Sequence, residues 1–156
     1  VEVLTPEFRD SCEKSVDTVL EAKPDVFAHN IETVPRLYPV VRKQGRYEYG
    51  MRILRVIKEK SPGMVTKSSI ILGMGETKEE VIKTMEDLRK LDVSIITMGQ
   101  YLRPSDKHHP ISRFYHPDEF REFEELSYEM GFKFAKCGPL VRSSYYAEHG
   151  LKASLH

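Results

Sequence analysis

The feature that most constrains the fold is a short apolar segment that passes through a glycine turn into an amphipathic helix. Residues 69–72 form a nearly continuous apolar run, which is typical of a strand buried on both faces of a parallel sheet. Gly73 and Gly75 follow it and allow a tight turn or a close approach of the backbone to a ligand. Thr77 and Glu80 then have the spacing of a helix capping box. The stretch predicts a β-turn-α unit with polar groups at the carboxyl end of its strand.

The rest of the chain repeats this plan of strand and helix. Strands are predicted at residues 1–4, 25–30, 93–101 and 132–136, and helices at about 11–22, 47–60, 78–91 and 117–131. Residues 37–45, which contain Pro39, fit either a loop or a short helix. The crossovers are long enough for parallel pairing, so we expect strands 69–72 and 93–98 to be adjacent and parallel. Four or five βα units are too few for an eight-stranded barrel, and this predicts a partial (βα) barrel of the TIM type or an incomplete chain.

Composition limits the partners of such a fold. The 156 residues suffice for one domain with a core, and 24 basic against 24 acidic residues create no overall field for a nucleic acid or an anionic membrane. No apolar run approaches the ~20 residues of a membrane-spanning helix, and the start of the chain lacks a signal-peptide pattern. We expect a soluble intracellular protein. Because the sequence opens directly on strand-like residues without a methionine, it is also expected to be a piece of a longer protein.

The two cysteines, Cys12 and Cys137, lie far apart and form no C-x-x-C pair. Neither a zinc site nor a redox motif is therefore predicted from them. Two buried, reduced thiols are the simpler interpretation.

Polar side chains follow three of the predicted strands. An amide and a carboxylate near one rim are able to hold hydroxyls or an amino group, and a Gln-Tyr pair is able to bond and stack on a planar ligand. The alternatives are a simple turn, a helix cap with a solvated side chain, and closure of the core. The residues are Asn30 and Glu32 after the first of these strands, Gly73 and Glu76 after the second, and Gln100 and Tyr101 after the third.

Two further segments stand outside the regular pattern. The loop of residues 105–116 is long enough to be functional, but its histidines match no standard metal-ligand spacing and are interpreted as surface residues. Near the C-terminus, Arg142, Ser143, Ser144 and Tyr145 follow an apolar Pro-Leu-Val without helical or strand periodicity. This indicates a segment folded over a site, the alternative being a hydrogen-bonded C-terminal turn.

Taken together, these residues resemble the lipoyl synthase family of radical S-adenosylmethionine enzymes. The resemblance runs in order from the first residue to about Ala147, and the combination of its parts is specific although each part alone is not. The matching stretches are residues 2–9, 24–27, 29–34, 66–68, 73–76, 99–105 and 138–145.

The resemblance implies a six-stranded partial (βα) barrel with two 4Fe-4S clusters. In this family one cluster cleaves S-adenosylmethionine to a 5′-deoxyadenosyl radical, and the other is consumed as a sulfur donor. Two sulfur atoms are inserted at carbons 6 and 8 of an octanoyl chain on a lysine of a lipoyl carrier protein. The implied partners are therefore this carrier, S-adenosylmethionine and an electron donor, with no nucleic acid or membrane. The implied location is the cytoplasm, or the mitochondrial matrix in a eukaryote.

The cysteines depart from the family pattern. The family holds its clusters on triads spaced C-x4-C-x5-C and C-x3-C-x2-C, which lie upstream of the matched part, and neither Cys12 nor Cys137 corresponds to a member. Clusters need thiolate ligands, so the chain alone is expected to hold neither cluster and to be inactive. The resemblance thus implies a barrel truncated at its N-terminus, with residues 1–137 as its C-terminal part and residues 138–156 as a separate segment.

The resemblance also assigns roles to single residues. It makes Ser144 the serine ligand of the sulfur-donor cluster, with Arg142 helping to position it; an alkoxide is a hard ligand that is able to leave iron. It places Asn30 and Glu32 against the ribose or methionine part of S-adenosylmethionine. Along the adenine side it places Gly73, Glu76, Gln100 and Tyr101.

A rival interpretation from another class stays open. The chain would then be a non-catalytic module that docks a lipoyl carrier protein or pairs with a separate chain bearing the clusters. A different radical enzyme, such as a biotin synthase, would not need the Arg-Ser-Ser-Tyr segment. Six cysteines in two triads, encoded upstream in the same gene, would separate the enzyme from the module.

Overall fold

The computed structural model describes residues 1–145 and 152–153. Its centre is a sheet of five parallel strands in the order of the sequence, each hydrogen-bonded to the next. The strands are β1 (Glu2–Leu4), β2 (Val26–Ala28), β3 (Val65–Leu72), β4 (Ile95–Gln100) and β5 (Phe134–Gly138). The α/β class and the parallel pairing of β3 with β4 are therefore confirmed. The sheet is open, with β1 and β5 at its edges, as in a partial barrel.

Helices connect the strands. They are α1 (Cys12–Glu21), α2 (Tyr38–Val41), α3 (Tyr47–Lys60), α4 (Lys78–Lys90) and α5 (Pro117–Glu129), with short 3-10 turns at Arg9–Ser11 and Pro35–Leu37. The bounds of α3 match the predicted ones, and the undecided stretch 37–45 contains the short α2. Among the described residues, no helix is long and apolar enough to cross a membrane.

The last strand begins two residues later than predicted. The prediction of a strand at 132–136 was wrong at its start because Phe132 belongs to the end of α5. Gly131 adopts a φ of 91°, and the Phe132 amide donates to the Ser127 carbonyl at 3.1 Å, which closes the last helical turn. The Phe132 ring is thereby buried in the core with Arg89 over its face.

The two faces of the sheet have different neighbours. On the outer face, Ile70, Leu72, Ile96 and Met98 pack into one apolar cluster with the helices, including Leu54, Met85, Leu88 and Phe123. On the inner face, a smaller cluster lies at the amino ends of the strands and consists of Val26, Val65 and Ile95 with Phe134 against them. Since side chains alternate along a strand, the residues two and four positions after these point to the same inner face, towards the carboxyl ends.

The predicted capping box starts α4 and also joins two parts of the fold. The Glu80 amide donates to Thr77 Oγ1 at 3.2 Å, and the Thr77 amide donates to Glu80 Oε2 at 2.9 Å. Arg36 from the β2–α3 connection donates to both oxygens of the same carboxylate, at 2.7 and 2.9 Å. The cap therefore fixes the β2 exit beside the β3 exit, where the polar residues lie.

A part-buried ion pair lies on the inner face of the sheet. Lys67 Nζ donates to both carboxylate oxygens of Glu2 at 3.0 and 2.9 Å, and its side chain is only 2% exposed. Lys67 is level with Ala28 of the intervening strand β2, so the pair reaches across β2 to tie the edge strand β1 to β3. Nothing in the strand pattern indicated this contact, because the two residues are far apart in sequence.

Candidate functional site

A cavity of about 470 Å³ opens at the carboxyl ends of β3 and β4. This volume lies within the usual range of small-molecule sites, and the position is the usual one in parallel α/β folds. Five of the eight predicted site residues line the cavity, while Gly73, Glu76 and Ser144 do not. The five are Asn30, Glu32, Gln100, Tyr101 and Arg142.

Glu32 is held at the cavity by a strained backbone. Its φ of 68° is left-handed, a conformation that residues other than glycine rarely adopt. The Glu32 amide donates to the Ser69 carbonyl at 2.9 Å, and the Ile71 amide donates to the Glu32 carbonyl at 2.7 Å. These bonds lock the residue to β3. Burial raises the pKa of the Glu32 carboxyl, and the charge of Arg42 and a hydrogen bond from Asn30 oppose this rise in smaller measure.

Asn30 leaves an acceptor free beside this carboxylate. Its side chain bonds to Glu32, yet its Oδ1 is buried without a hydrogen-bond partner among the described residues. A buried acceptor without a partner is costly and is usually matched by a ligand or water. The pair therefore suits a ligand that brings hydroxyl or amino donors, as the Asn-Glu pattern predicted.

Glu76 and Gly73 shape the exit of β3. The Glu76 carboxylate accepts from the Gly73 amide at 2.6 Å and from the Met74 amide at 3.0 Å, so both of its oxygens serve the turn. Gly73 has a φ of 111°, and a side chain there would collide with the amide of Gln100. The two residues thus set the backbone path next to the cavity without lining it.

Gln100 and Tyr101 hold the loop 105–116 in place. Gln100 Nε2 donates to the carbonyls of Tyr101 and Arg113 at 3.2 and 3.1 Å, and its Oε1 accepts from the Tyr115 amide at 2.9 Å. The Tyr101 hydroxyl donates to the His109 carbonyl at 2.9 Å. The polar atoms of both side chains are therefore engaged, and the half-buried Tyr101 offers its ring to the cavity.

The loop histidines make structural contacts. His108 Nδ1 lies 2.9 Å from Ser105 Oγ, His109 Nε2 donates to the Met74 carbonyl at 2.8 Å, and His116 Nδ1 accepts from the Asp118 amide at 3.2 Å at the start of α5. Across residues 1–145 and 152–153, no group of three or more His, Cys, Asp or Glu side chains is placed to hold a metal ion.

The chain crosses the cavity mouth in what we term the roof segment, residues 139–145. Arg142 Nη1 donates to the Val141 carbonyl at 2.7 Å, and the Tyr145 amide donates to the Arg142 carbonyl at 2.9 Å. Ser143 lines the cavity, whereas Ser144 is exposed at the apex of this turn. The segment thus contains the hydrogen-bonded turn of the alternative interpretation and also lines the cavity, and its role over a site stays a prediction. The rest of the predicted segment, residues 146–151 and 154–156, lies outside the described residues.

The two cysteines are unsuited to ligate iron. Cys12 is 1% exposed in the cluster around α1 and α3, and Cys137 is 7% exposed in the main core. Burial raises the pKa of both thiols, and Glu124 raises that of Cys137 further, so the neutral form is favoured. The described residues therefore offer no thiolate for a 4Fe-4S cluster. The cavity, with its free acceptor and half-buried carboxylate, does fit a cofactor such as S-adenosylmethionine.

The cavity residues that the sequence did not assign include Ser69 and Gly99. Both lie on the inner face, level with Thr97 and Ile71 respectively on the paired strand. Strand alternation counted back from the polar exits would have placed them there. A wider groove of about 930 Å³ runs along the same rim between residues 6–11, 40–45 and 107–109.

Comparison with known proteins places this geometry in a class. Residues 1–88, more than half of the chain, match the model of the Radical SAM superfamily, and the chain belongs to that superfamily. A solved structure, that of SuiB from Streptococcus suis, matches 88% of this chain and 38% of its own with a TM-score of 0.56 and 10% identity, which shows the fold alone.

Within this class the chain is similar to lipoyl synthases. The identity is 52% over 147 residues with the Rubrobacter xylanophilus protein, covering 94% of this chain and 46% of the relative. It is 53% over 149 residues with that of Caldicellulosiruptor bescii, covering 96% and 51%. For Aquifex aeolicus it is 53% over 151 residues, covering 97% and 54%. The chain spans about half the length of the curated relatives it matches.

Proposed function

We propose that the chain provides the S-adenosylmethionine cavity and the roof segment of a lipoyl synthase. That enzyme inserts two sulfur atoms into an octanoyl chain carried on a lysine of a carrier protein. One observation carries the proposal: a cavity with a half-buried carboxylate, and with an amide oxygen that has no partner among the described residues, is roofed by the turn at Arg142 and Ser143. The similarity to lipoyl synthases supports it along the whole described sheet.

Different cavity residues would bind different parts of S-adenosylmethionine. Asn30 Oδ1 and the Glu32 carboxylate accept hydrogen bonds from the ribose hydroxyls or the ammonium group of S-adenosylmethionine. Ile71 and the Tyr101 ring supply apolar surface for the adenine. Gly73, Glu76 and Gln100 act on the same side by holding the backbone and the loop that shape this wall.

The clusters would be held by thiolates outside this chain. When bound, they supply the electron that cleaves S-adenosylmethionine and the sulfur that is inserted. Of the present residues, we propose that Ser144 gives one oxygen ligand to the sulfur-donor cluster. Arg142 supports this position by folding the turn onto its own backbone. An electron donor and the octanoylated carrier complete the proposed partners, and the compartment stays a prediction of cytoplasm or mitochondrial matrix.

A second candidate also fits the lack of a metal-binding group of His, Cys, Asp or Glu side chains among the described residues. A module that binds the carrier and pairs with a separate cluster-bearing chain would have the same cavity. Purified from its natural source, such a module would copurify with a second polypeptide that holds all of the iron.

The test of the proposed function compares Ser144→Ala with Ser143→Ala in the complete enzyme. Ser144→Ala is expected to lower lipoyl formation by about 10-fold or more while 5′-deoxyadenosine production persists. Ser143→Ala is the matched control, with the same lost hydroxyl at the neighbouring position, and is expected to be milder. Both products are measured separately after anaerobic reconstitution. Normal sulfur insertion by Ser144→Ala would remove its ligand role.

A further inference from the structure

Gly99 lies at the point where the roof segment comes closest to the sheet. It pairs with Ile71 of β3 and Gly138 of β5 and faces the cavity. A Cβ atom added to Gly99 would lie 2.0 Å from the carbonyl oxygen of Val141 and 3.1 Å from Arg142 Nη1. The backbone of the roof segment therefore occupies the space that any side chain at position 99 would need.

We propose that Gly99 is a positioning residue that sets the height of the roof segment above the cavity, and so the place of Ser144. The proposal rests on the proposed function, because it is Ser144 whose placement matters for sulfur insertion. Gly99 itself touches no reacting group and acts through Val141.

The steric conflict at position 99 cannot be relieved by rotating a side chain. The atom in the way belongs to the backbone, and the segment around it is tied down. The Val141 amide donates to the Gly138 carbonyl at 3.1 Å, the Gln100 amide to the Pro139 carbonyl at 3.4 Å, and the Val141 side chain is buried. A Cβ contact below 3.0 Å is essentially never seen, so the Val141 carbonyl would have to retreat by at least 1.0 Å.

Such a retreat would carry Ser143 and Ser144 with it. Ser143 and Ser144 lie in the turn that the hydrogen bond from the Tyr145 amide to the Arg142 carbonyl closes. The Arg142 side chain is itself hydrogen-bonded to the Val141 carbonyl that would be displaced. A shift of about 1 Å in a reacting constellation costs on the order of 100-fold in rate. The Asn30 and Glu32 side of the cavity is fixed to β3 and would be left in place.

Two other glycines provide matched controls. A Cβ at Gly138 would meet only a methyl of Val141 at 3.2 Å, which is able to give by a few tenths of an ångström. A Cβ at Gly63 would meet nothing within 4 Å. The three alanine variants therefore add the same methyl group in three different surroundings. In Gly99→Ala it collides with backbone, in Gly138→Ala it touches a side chain, and in Gly63→Ala it enters open space.

The experiment uses these three variants of the complete enzyme and two readouts. The first is hydrogen–deuterium exchange of residues 139–145 in protein without clusters, and it does not depend on any activity. Gly99→Ala is expected to speed exchange there and to leave β3 unchanged, while Gly63→Ala has no effect. The second is the ratio of lipoyl product to 5′-deoxyadenosine after reconstitution, which is expected to fall about 100-fold for Gly99→Ala alone.

Chemical unfolding of the same full-length variants shows whether the conflict is with the roof. Gly99→Ala is expected to lose stability, whereas Gly138→Ala is expected to lose little, since alanine in a strand interior is normally at least as stable as glycine. Unchanged exchange in residues 139–145, or an equal loss of stability in Gly99→Ala and Gly138→Ala, would overturn the positioning role. If wild-type enzyme forms no lipoyl product, the proposed function fails, and the exchange and unfolding results still decide the role of Gly99.

Discussion

At the scale of single residues, Glu32 shows a conflict between stability and binding. Its left-handed backbone and the partial burial of its carboxyl are both unfavourable in a folded chain, and yet the residue lines the cavity beside Asn30. Strain that persists at a cavity is commonly kept for function. Glu32→Gln retains the shape and removes only the charge, so it separates the two effects.

Glu32→Gln is expected to stabilise the protein at neutral pH. The pKa of Glu32 is raised in the folded state, so the unfolded chain releases this proton first and stability falls as pH rises above the usual glutamate range of about 4.3. The variant lacks this loss, and its advantage in the free energy of unfolding should shrink towards pH 4. Urea unfolding across pH measures it, and a pH-independent difference would contradict the assignment.

The same substitution should weaken the binding of S-adenosylmethionine. Losing one charge-assisted hydrogen bond reduces affinity by about 10-fold. Calorimetric titration of the reconstituted complete enzyme measures this change. Unaltered affinity would place the ligand elsewhere, even if the stability result holds.

At the scale of elements, the loop 105–116 depends on one side chain of β4. Gln100 makes three hydrogen bonds to loop or strand-exit backbone, and its removal would leave those backbone groups without this partner. Gln100→Ala is expected to cost about 2 kcal/mol in the free energy of unfolding and to increase protease cleavage within the loop. Gln44→Ala, at an exposed loop position, is the control. Equal effects of the two variants would refute the holding role of Gln100.

The pairing of β1 with the sheet depends on Lys67 and Glu2. Lys67→Met leaves the part-buried Glu2 carboxylate without its partner, and we expect a cost of about 2 kcal/mol in the free energy of unfolding. The double variant Lys67→Met with Glu2→Leu removes both charges and should recover much of that loss. Chemical unfolding of both single variants and the double variant gives the coupling free energy between Lys67 and Glu2. Additive losses would mean that the pair is not coupled in the folded protein.

At the scale of the whole molecule, the part of the chain that the structure describes forms a cavity but no group of His, Cys, Asp or Glu side chains placed to hold a metal ion. After anaerobic reconstitution with iron and sulfide, the chain by itself is expected to show no 4Fe-4S absorbance and no cleavage of S-adenosylmethionine, because its two thiols are buried and far apart in sequence. The complete enzyme treated in parallel is the control. A coloured, cleavage-competent preparation of the chain alone would show that the ligand assignment is wrong.

The strand and helix order was predictable because local patterns determine it. The apolar run before Gly73, the capping box at Thr77 and the stripe of α3 each need only neighbours in sequence. The contacts of Glu76 and Gln100 with backbone amides and carbonyls were not predictable, since they depend on where a turn and a distant loop fold back. The same holds for the contact of Gly99 with Val141, which arises only when the chain returns over the sheet.

We propose that this cavity and roof serve sulfur insertion into an octanoyl chain. The most direct measurement is mass spectrometry of an octanoyl-lysine carrier peptide after turnover by the complete, reconstituted enzyme with S-adenosylmethionine and a reductant. We expect a product that has gained two sulfur atoms, formed by the wild type and Gly63→Ala but scarcely by Ser144→Ala. A peptide that stays unmodified while both clusters are intact and 5′-deoxyadenosine accumulates would contradict the claim.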